Sequence, residues 1–394
     1  MRTQLPSLLL IFVALTGSTA TLVGQDFSKP DGAIRVATFN CSLNRDKPGQ
    51  LANDLKSGDN EQARKIAEII QRVKPDLLLL NEFDYDSSGD CLKTFSELYL
   101  QKSQNQQTPV EFAHSFSASV NTGVDSGFDL NRDGKSVTPD DALGFGRHPG
   151  QYGMAVFSKF PIDREQVRTF QKFLWADMPS GLWPVDPKTN GPYYNDEIKK
   201  VFRLSSKSHW DIPIIVDDRT VHFLVCHPTP PVFDGPEDRN GARNHDEIRL
   251  WADYVGGKSN YLYDDNGRKG GLKPSDLFVI AGDMNADPND GDSRDKPSLL
   301  LLNHPRIADP KPTSVGGKEQ AVLQGGLNSK HTGDPALDTG DFFDRTVGNL
   351  RIDYVLPCKE LTVLGSGVYW PANSQPEFGL VDCSDHRLVW VDVK

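Results

Sequence analysis

The stretch Asp276-Leu277-Phe278-Val279-Ile280-Ala281-Gly282-Asp283-Met284-Asn285 is a short apolar run with β-branched residues, opened and closed by polar ones. That pattern reads as a buried strand. Gly282 lets the backbone turn sharply as it leaves the sheet, so that Asp283 and Asn285 project from the strand end toward one point. A carboxylate beside an amide suits a water to be deprotonated or a phosphate oxygen to be held. Because Gly-Asp-x-Asn is also an ordinary turn, its meaning rests on partners elsewhere in the chain.

Those partners recur at the ends of other apolar runs. Ile34 to Asn40 alternates and stops at an amide. Asp59 to Val73 carries Ala63, Ile66, Ile69, Ile70 and Val73 at helical spacing beneath an Asp59 cap. Lys74-Pro75 follows, then Asp76-Leu77-Leu78-Leu79-Leu80-Asn81-Glu82, a strand covered on both faces. A glutamate just past four leucines is costly unless it is paired or binds a cation. Gln151 to Ser158 is a further strand with Tyr152 at its start. Ile212–Val216 and Val221–Cys226 pair across a turn at Asp217 to Arg219 and end at His227, held by a proline-rich segment and placed for proton transfer or phosphate contact. A helix then runs to about Tyr254. Asn349 to Leu356 reads as one strand containing Asp353, and Ser384-Asp385-His386 opens the last one, Arg387 to Val393. Asp353 on an adjacent strand is an orienter for His386.

Two segments interrupt this pattern. Within residues 121–146, Asp129, Asn131, Asp133, Gly134 and Asp140 match positions one, three, five, six and twelve of an EF-hand-like loop, which predicts a structural Ca²⁺. Residues 162–208 hold Phe170, Phe173, Trp175, Trp183, Tyr193, Tyr194 and Phe202, followed by Arg203 and Lys207, with His209 just beyond. These aromatics read as a satellite core under a long excursion. In the alternative, they line a substrate pocket whose Arg203, Lys207 and His209 meet an anionic group.

Composition bounds the partners. A formal net charge of -11 argues against broad capture of nucleic acid or anionic membrane, though a bound cation can reverse the potential locally. With 34 Gly and 27 Pro, long loops are expected. Arg2, the apolar Leu8 to Leu15 and Ser18-Thr19-Ala20 form a signal peptide over residues 1–20, so the chain is expected to be secreted or periplasmic. A linker, residues 21–30, and one domain, residues 31–394, follow; a monomer without stable membrane insertion is expected. Five cysteines leave at least one thiol free; Cys226 reads as buried, and Cys41 with Cys91 could bridge.

The polar strand endings are Asn40, Glu82, Tyr152, His227, Asp283, Asn285, Asp353, Asp385 and His386. Hard oxygens and amides without a thiolate favour Mg²⁺ or Mn²⁺ over zinc, and the set suits attack of water on phosphorus. At these residues the chain resembles the endonuclease/exonuclease/phosphatase, or DNase I-like, superfamily. The resemblance implies an α/β fold, a four-layer sandwich of two central, mostly antiparallel mixed sheets flanked by helices, acting on a phosphate ester. It implies Glu82 as principal metal ligand with Asn40 and Asp385 near the metal. Asp283 would activate water, Asn285 and Tyr152 would contact the phosphate, and His386 would be the base or a phosphate-stabilising imidazole. His227 matches the branch containing the DNase I and sphingomyelinase groups and would be acid or phosphate ligand. A phosphodiesterase is expected; a phosphatase for small phosphomonoesters or lipid head groups, and a silent calcium-binding module, are the alternatives.

Overall fold

Leu77, Leu78, Leu79 and Leu80 are all buried, and strand alternation divides them between two cores. Leu77 and Leu79 join Ile34, Val36, Phe223, Val225 and Ile280 in the core between two sheets. Leu78 and Leu80 join Ala37, Phe39, Ile66 and Ile70 in a second core, beneath the Glu61–Val73 helix. A strand that is apolar on both faces is thus explained by a cover on each side. The computed structural model describes residues 27–394, so the expected signal peptide lies outside the described residues.

In chain order the strands are β1 (Ile34–Asn40), β2 (Leu77–Asn81), β3 (His114–Phe116), β4 (Met154–Ser158), β5 (Arg168–Thr169), β6 (His209–Val216), β7 (Arg219–Cys226) and β8 (Leu277–Asp283). They continue as β9 (Gly340–Asp341), β10 (Asn349–Leu350), β11 (Asp353–Pro357), β12 (Val363–Val368) and β13 (Val389–Val393). One sheet has the order β12-β13-β1-β2-β4-β3, the other β11-β8-β7-β6-β5. Each contains one parallel pair, β1 with β2 and β7 with β8, and is otherwise antiparallel. The Arg239–Val255 helix covers the second sheet with Ile248, Leu250, Trp251 and Tyr254, completing four layers. No helix among the described residues is long and apolar enough to cross a membrane.

Register places the site. Asn40 lies opposite Asn81 in the parallel pair, Asp353 opposite Asp283, and Cys226 opposite Gly282, so His227 follows directly beside Asp283. Asn81 joins the two sheets: its side-chain oxygen accepts the Asp283 N–H at 3.2 Å, and its amide donates to the Cys226 carbonyl at 3.3 Å.

Several expectations need correction. The helix cap is Asn60, whose side chain accepts the Ala63 N–H, rather than Asp59. The strand expected over Asn349 to Leu356 is two strands, because β10 pairs with β9 and β11 with β8. Between them, Arg351 N–H donates to Asp287 and Ile352 N–H to the Thr339 hydroxyl. The insertion aromatics Phe170, Phe173, Trp175, Tyr193, Tyr194 and Phe202 are buried and continuous with the inter-sheet core, forming neither a satellite core nor a pocket wall. All five cysteines are buried and free, so Cys41 and Cys91 are not bridged.

Gly282 also has a different reason from the one its position suggested. A Cβ there would meet the Cys226 carbonyl oxygen at 2.1 Å, and its φ is +152°. It permits a close approach of the parallel neighbour inside the sheet. Gly282→Ala should therefore destabilise the fold by at least about 2 kcal/mol, read as a drop in denaturation midpoint; unchanged stability would refute this account.

Candidate active site

Asp283 is 1% exposed, and the neighbouring elements are arranged around its carboxylate. The Asn40 amide donates to Oδ2 at 3.0 Å; His227 Nε2 stands 3.4 Å and His386 Nε2 3.7 Å from the same oxygen. The other oxygen accepts the Asn285 N–H at 2.8 Å. Burial opposes ionisation, but His386, His227 and Asn40 together hold Asp283 well below the usual carboxylate range.

His386 is fixed from behind by Asp353, whose Oδ2 lies 2.9 Å from Nδ1 and also accepts the Thr339 hydroxyl at 2.8 Å. Burial disfavours the imidazolium, yet Asp353 and Asp283 outweigh it and push His386 up to about 10. Asp353 itself is raised, by burial and by repulsion from Asp283. The two shifts pull against each other; His386, flanked by two carboxylates, carries the proton at neutral pH. His227 differs: burial and the Lys207 charge lower it to about 4, so it is neutral, and its Nδ1 has no hydrogen-bond partner among the described residues.

Glu82 sits beyond the end of β2 in the left-handed region, at φ +58°. Its carboxylate accepts from the Asn40 amide at 3.2 Å and the Asn44 amide at 2.8 Å. Burial raises its pKa, opposed by His386 and Asn40 and reinforced by Asp385. Asp385 is exposed and accepts from the Ser42 hydroxyl at 3.3 Å. A carboxylate held by neutral amides next to a second carboxylate is a donor set that fits a hard divalent cation. One ligand atom each from Asp283, Asp353 and His386 also lies within 4.8 Å of the others, a grouping that can hold a metal ion.

Tyr152 has φ +54° and is held by its N–H donating to Asp84 at 3.1 Å; burial and the Glu82 charge raise its phenol. The Asn285 amide donates to the Pro228 carbonyl at 3.2 Å, which ties it to the segment after His227. Lys207 is 7% exposed with no hydrogen-bond or ion-pair partner for its ammonium among the described residues. Burial lowers its pKa, while Glu247, Glu82 and Asp283 support its charge, which places it at the site.

The other two cationic candidates do not belong there. Arg203 donates to Asn121 at 2.7 Å inside the insertion. His209 is held between the Ser205 hydroxyl at 2.7 Å and the Glu247 carbonyl at 2.9 Å, and burial lowers it to about 3. Both are structural. In the expected calcium loop, Asp129 accepts from the Asp133 and Gly134 amides, Asn131 from the Asp133 amide and Asp133 from the Lys135 amide. Asp140 is exposed, with no side-chain hydrogen bond among the described residues; the neighbouring Asp141 closes the turn onto Leu130 and Thr138 instead.

Sequence reasoning missed three contributors. Asn44 holds Glu82 and has no signal beyond lying four residues after Asn40. Thr339 sits in a loop with no pattern of its own. Glu247 accepts from Ser206 N–H at 2.6 Å and Thr229 N–H at 2.7 Å, positioning the segments that carry Lys207 and His227. Its signal was available, since Arg243, Asn244 and Glu247 share a buried helix face with Ile248 and Trp251.

A four-layer sandwich with a carboxylate, two imidazoles and a cation-ready glutamate at one sheet edge is the architecture of a phosphoester hydrolase. The family model described as Endonuclease/Exonuclease/phosphatase matches residues 37–386, and the chain belongs to that family. Its members act on phosphoesters, typically with a divalent metal. An endonuclease/exonuclease/phosphatase from Beutenbergia cavernae DSM 12333 is similar at 16% identity, over 92% of this chain and 71% of that one, with a TM-score of 0.48. A family protein from Leptotrichia buccalis C-1013-b shows 15% identity over 92% of this chain and 100% of that one, also at 0.48. Sphingomyelinase C from Streptomyces griseocarneus shows 14% over 92% and 99%, at 0.43. No curated protein matches the sequence.

The Asp353–His386 pair has a pH signature. A histidine raised in the folded state contributes stability that is full below its ordinary value of 6.5 and is lost as pH rises through about 10. In metal-free Asp353→Asn, His386 should titrate nearer 6.5 by NMR, and the fall in stability across that window should shrink. An unshifted titration would mean that Asp353 does not set the charge of His386.

Proposed function

We propose that this chain is an exported, divalent-metal-dependent phosphodiesterase that directs water onto phosphorus. The observation that carries the reading is the ionised Asp283 set between neutral His227 and protonated His386, with Asn40 linking it to Glu82. Asp283 accepts a proton from the attacking water and orients it. His386 presents its imidazolium to the phosphate and, as the acid, gives a proton to the leaving oxygen, with Asp353 stabilising the charge. His227, held neutral, donates a hydrogen bond. Lys207 balances the developing negative charge from within the fold, and Asn285 and Tyr152 line the phosphate's position. A divalent cation, Mg²⁺ or Mn²⁺, held by Glu82 with Asn40 and Asp385, would polarise the ester and neutralise phosphate charge.

Diester is favoured over a small phosphomonoester because the insertion aromatics are committed to the core and do not close a small-molecule pocket. The unpaired Lys207 and the charge gradient across the two histidines argue against a silent module, which has no physical use for either. Export rests on the N-terminal segment, residues 1–20, alone.

Bis-p-nitrophenyl phosphate should be turned over with Mg²⁺ or Mn²⁺ and not with EDTA, faster than p-nitrophenyl phosphate. Preference for the monoester would replace this reading with the phosphatase, and no turnover with any metal would remove the enzyme. Glu82→Gln should cost about a hundredfold or more in kcat, since the cation supplies several kcal/mol of charge stabilisation, with the melting temperature retained. Lys207→Met should lower kcat/KM; full activity in that variant would show that the ammonium does not reach the phosphate.

A further inference from the structure

Among the described residues three phenylalanines are exposed, Phe145, Phe233 and Phe343. A single exposed apolar side chain needs no explanation of its own. Phe145 differs in where it stands: its ring, 50% exposed, lies against Tyr152, with centroids 6.3 Å apart and planes tilted by 39°. Of the three, it alone has an aromatic partner in the active site.

The backbone that carries Phe145 is fixed on both sides. Leu143 is buried in the inter-sheet core; its N–H donates to the Val124 carbonyl at 2.7 Å, and its own carbonyl accepts from Arg243 at 2.6 Å. Gly144 is pressed onto the residue before Lys207, so that a Cβ there would overlap the Ser206 carbonyl. The Gly144 carbonyl accepts the Gly123 N–H at 2.9 Å. On the far side the Arg147 N–H donates to the side chain of Gln151, the residue before Tyr152, at 2.7 Å. The segments that deliver Lys207 and Tyr152 therefore set the place of the Phe145 ring, on a backbone that cannot shift without breaking these contacts.

The charged groups around the Tyr152 phenol are Glu82, Arg147, Asp46 and Asp84. Arg147 and Asp46 pair with each other, and Asp84 is engaged by the Arg45 and Tyr152 amides. Among these groups no cation is left free for a second phosphate. What remains is a rigid aromatic face beside the phosphate's position, a surface suited to a neutral, planar group.

We infer that Phe145, backed by Tyr152, is the subsite for one alcohol group of the diester and selects a planar aromatic substituent over a small alkyl one. The inference rests on the diesterase reading and adds the class of group that the phosphorus carries. His386, which gives its proton to the leaving oxygen, has its own aromatic neighbour in Phe342 at 5.5 Å. The group at Phe145 is then the alcohol that stays on phosphorus.

The test uses the full chain with MgCl₂ and measures the binding of diphenyl phosphate and dimethyl phosphate by calorimetry, without turnover. The wild type should bind diphenyl phosphate about fivefold or more tighter, the size expected of one aromatic contact. Phe145→Ala should lose most of that preference while its affinity for dimethyl phosphate and its melting temperature stay as they are, because the position is on the surface. Phe145→Trp should keep the preference. In kinetics, Phe145→Ala should raise KM for phenyl p-nitrophenyl phosphate and leave KM for methyl p-nitrophenyl phosphate unchanged. Equal affinities in the wild type, or a phenyl preference that survives in Phe145→Ala, would overturn the subsite and leave the diesterase standing if diesters are turned over. The expected binding pattern without turnover of any diester would do the reverse, supporting the subsite and removing the diesterase.

Discussion

One buried negative charge organises this molecule. Asp283 lies at the edge where the two sheets meet, and a carboxylate removed from water must be matched by donors or lose its charge. The donors come from β1 through Asn40, from the segment after β7 through His227, and from the segment before β13 through His386. Neither sheet could satisfy it alone. The Asn81 amide, joining β2 to β7 and β8, sets the spacing at which those donors converge.

Around that charge the two histidines are driven in opposite directions. His386 lies between two carboxylates and gains a proton, while His227, next to Lys207 and without a partner on Nδ1 among the described residues, stays neutral. Identical side chains a few ångströms from the same carboxylate thus hold different charge states, and environment alone makes the difference. This is the usual way in which a site obtains an acid and a neutral donor at one pH.

Support for the site comes from residues that never reach it. Glu247 holds the backbone of Ser206 and Thr229, and Thr339 holds Asp353. Both lie on elements outside the sheet edge, so the reacting groups are rigid because of contacts made a layer away. The insertion aromatics belong to the same logic: by filling the inter-sheet core they stiffen the segment that delivers Lys207.

By itself the sequence determined the strand pattern and the polar groups that end the strands, and its resemblance to the endonuclease/exonuclease/phosphatase superfamily implied the sandwich. Four leucines without polar alternation require a cover on both faces, and apolar runs that each end in a polar group place those groups along one edge; both follow from backbone geometry of period two. Asn40, Glu82, His227, Asp283, Asp353, Asp385 and His386 were legible for that reason. What only the tertiary structure decided depends on distances between segments far apart in the chain. Of three cationic candidates in or beside the insertion, Lys207 alone is left unpaired at the site, while Arg203 and His209 find partners elsewhere. The reason for Gly282 is a carbonyl on the neighbouring strand.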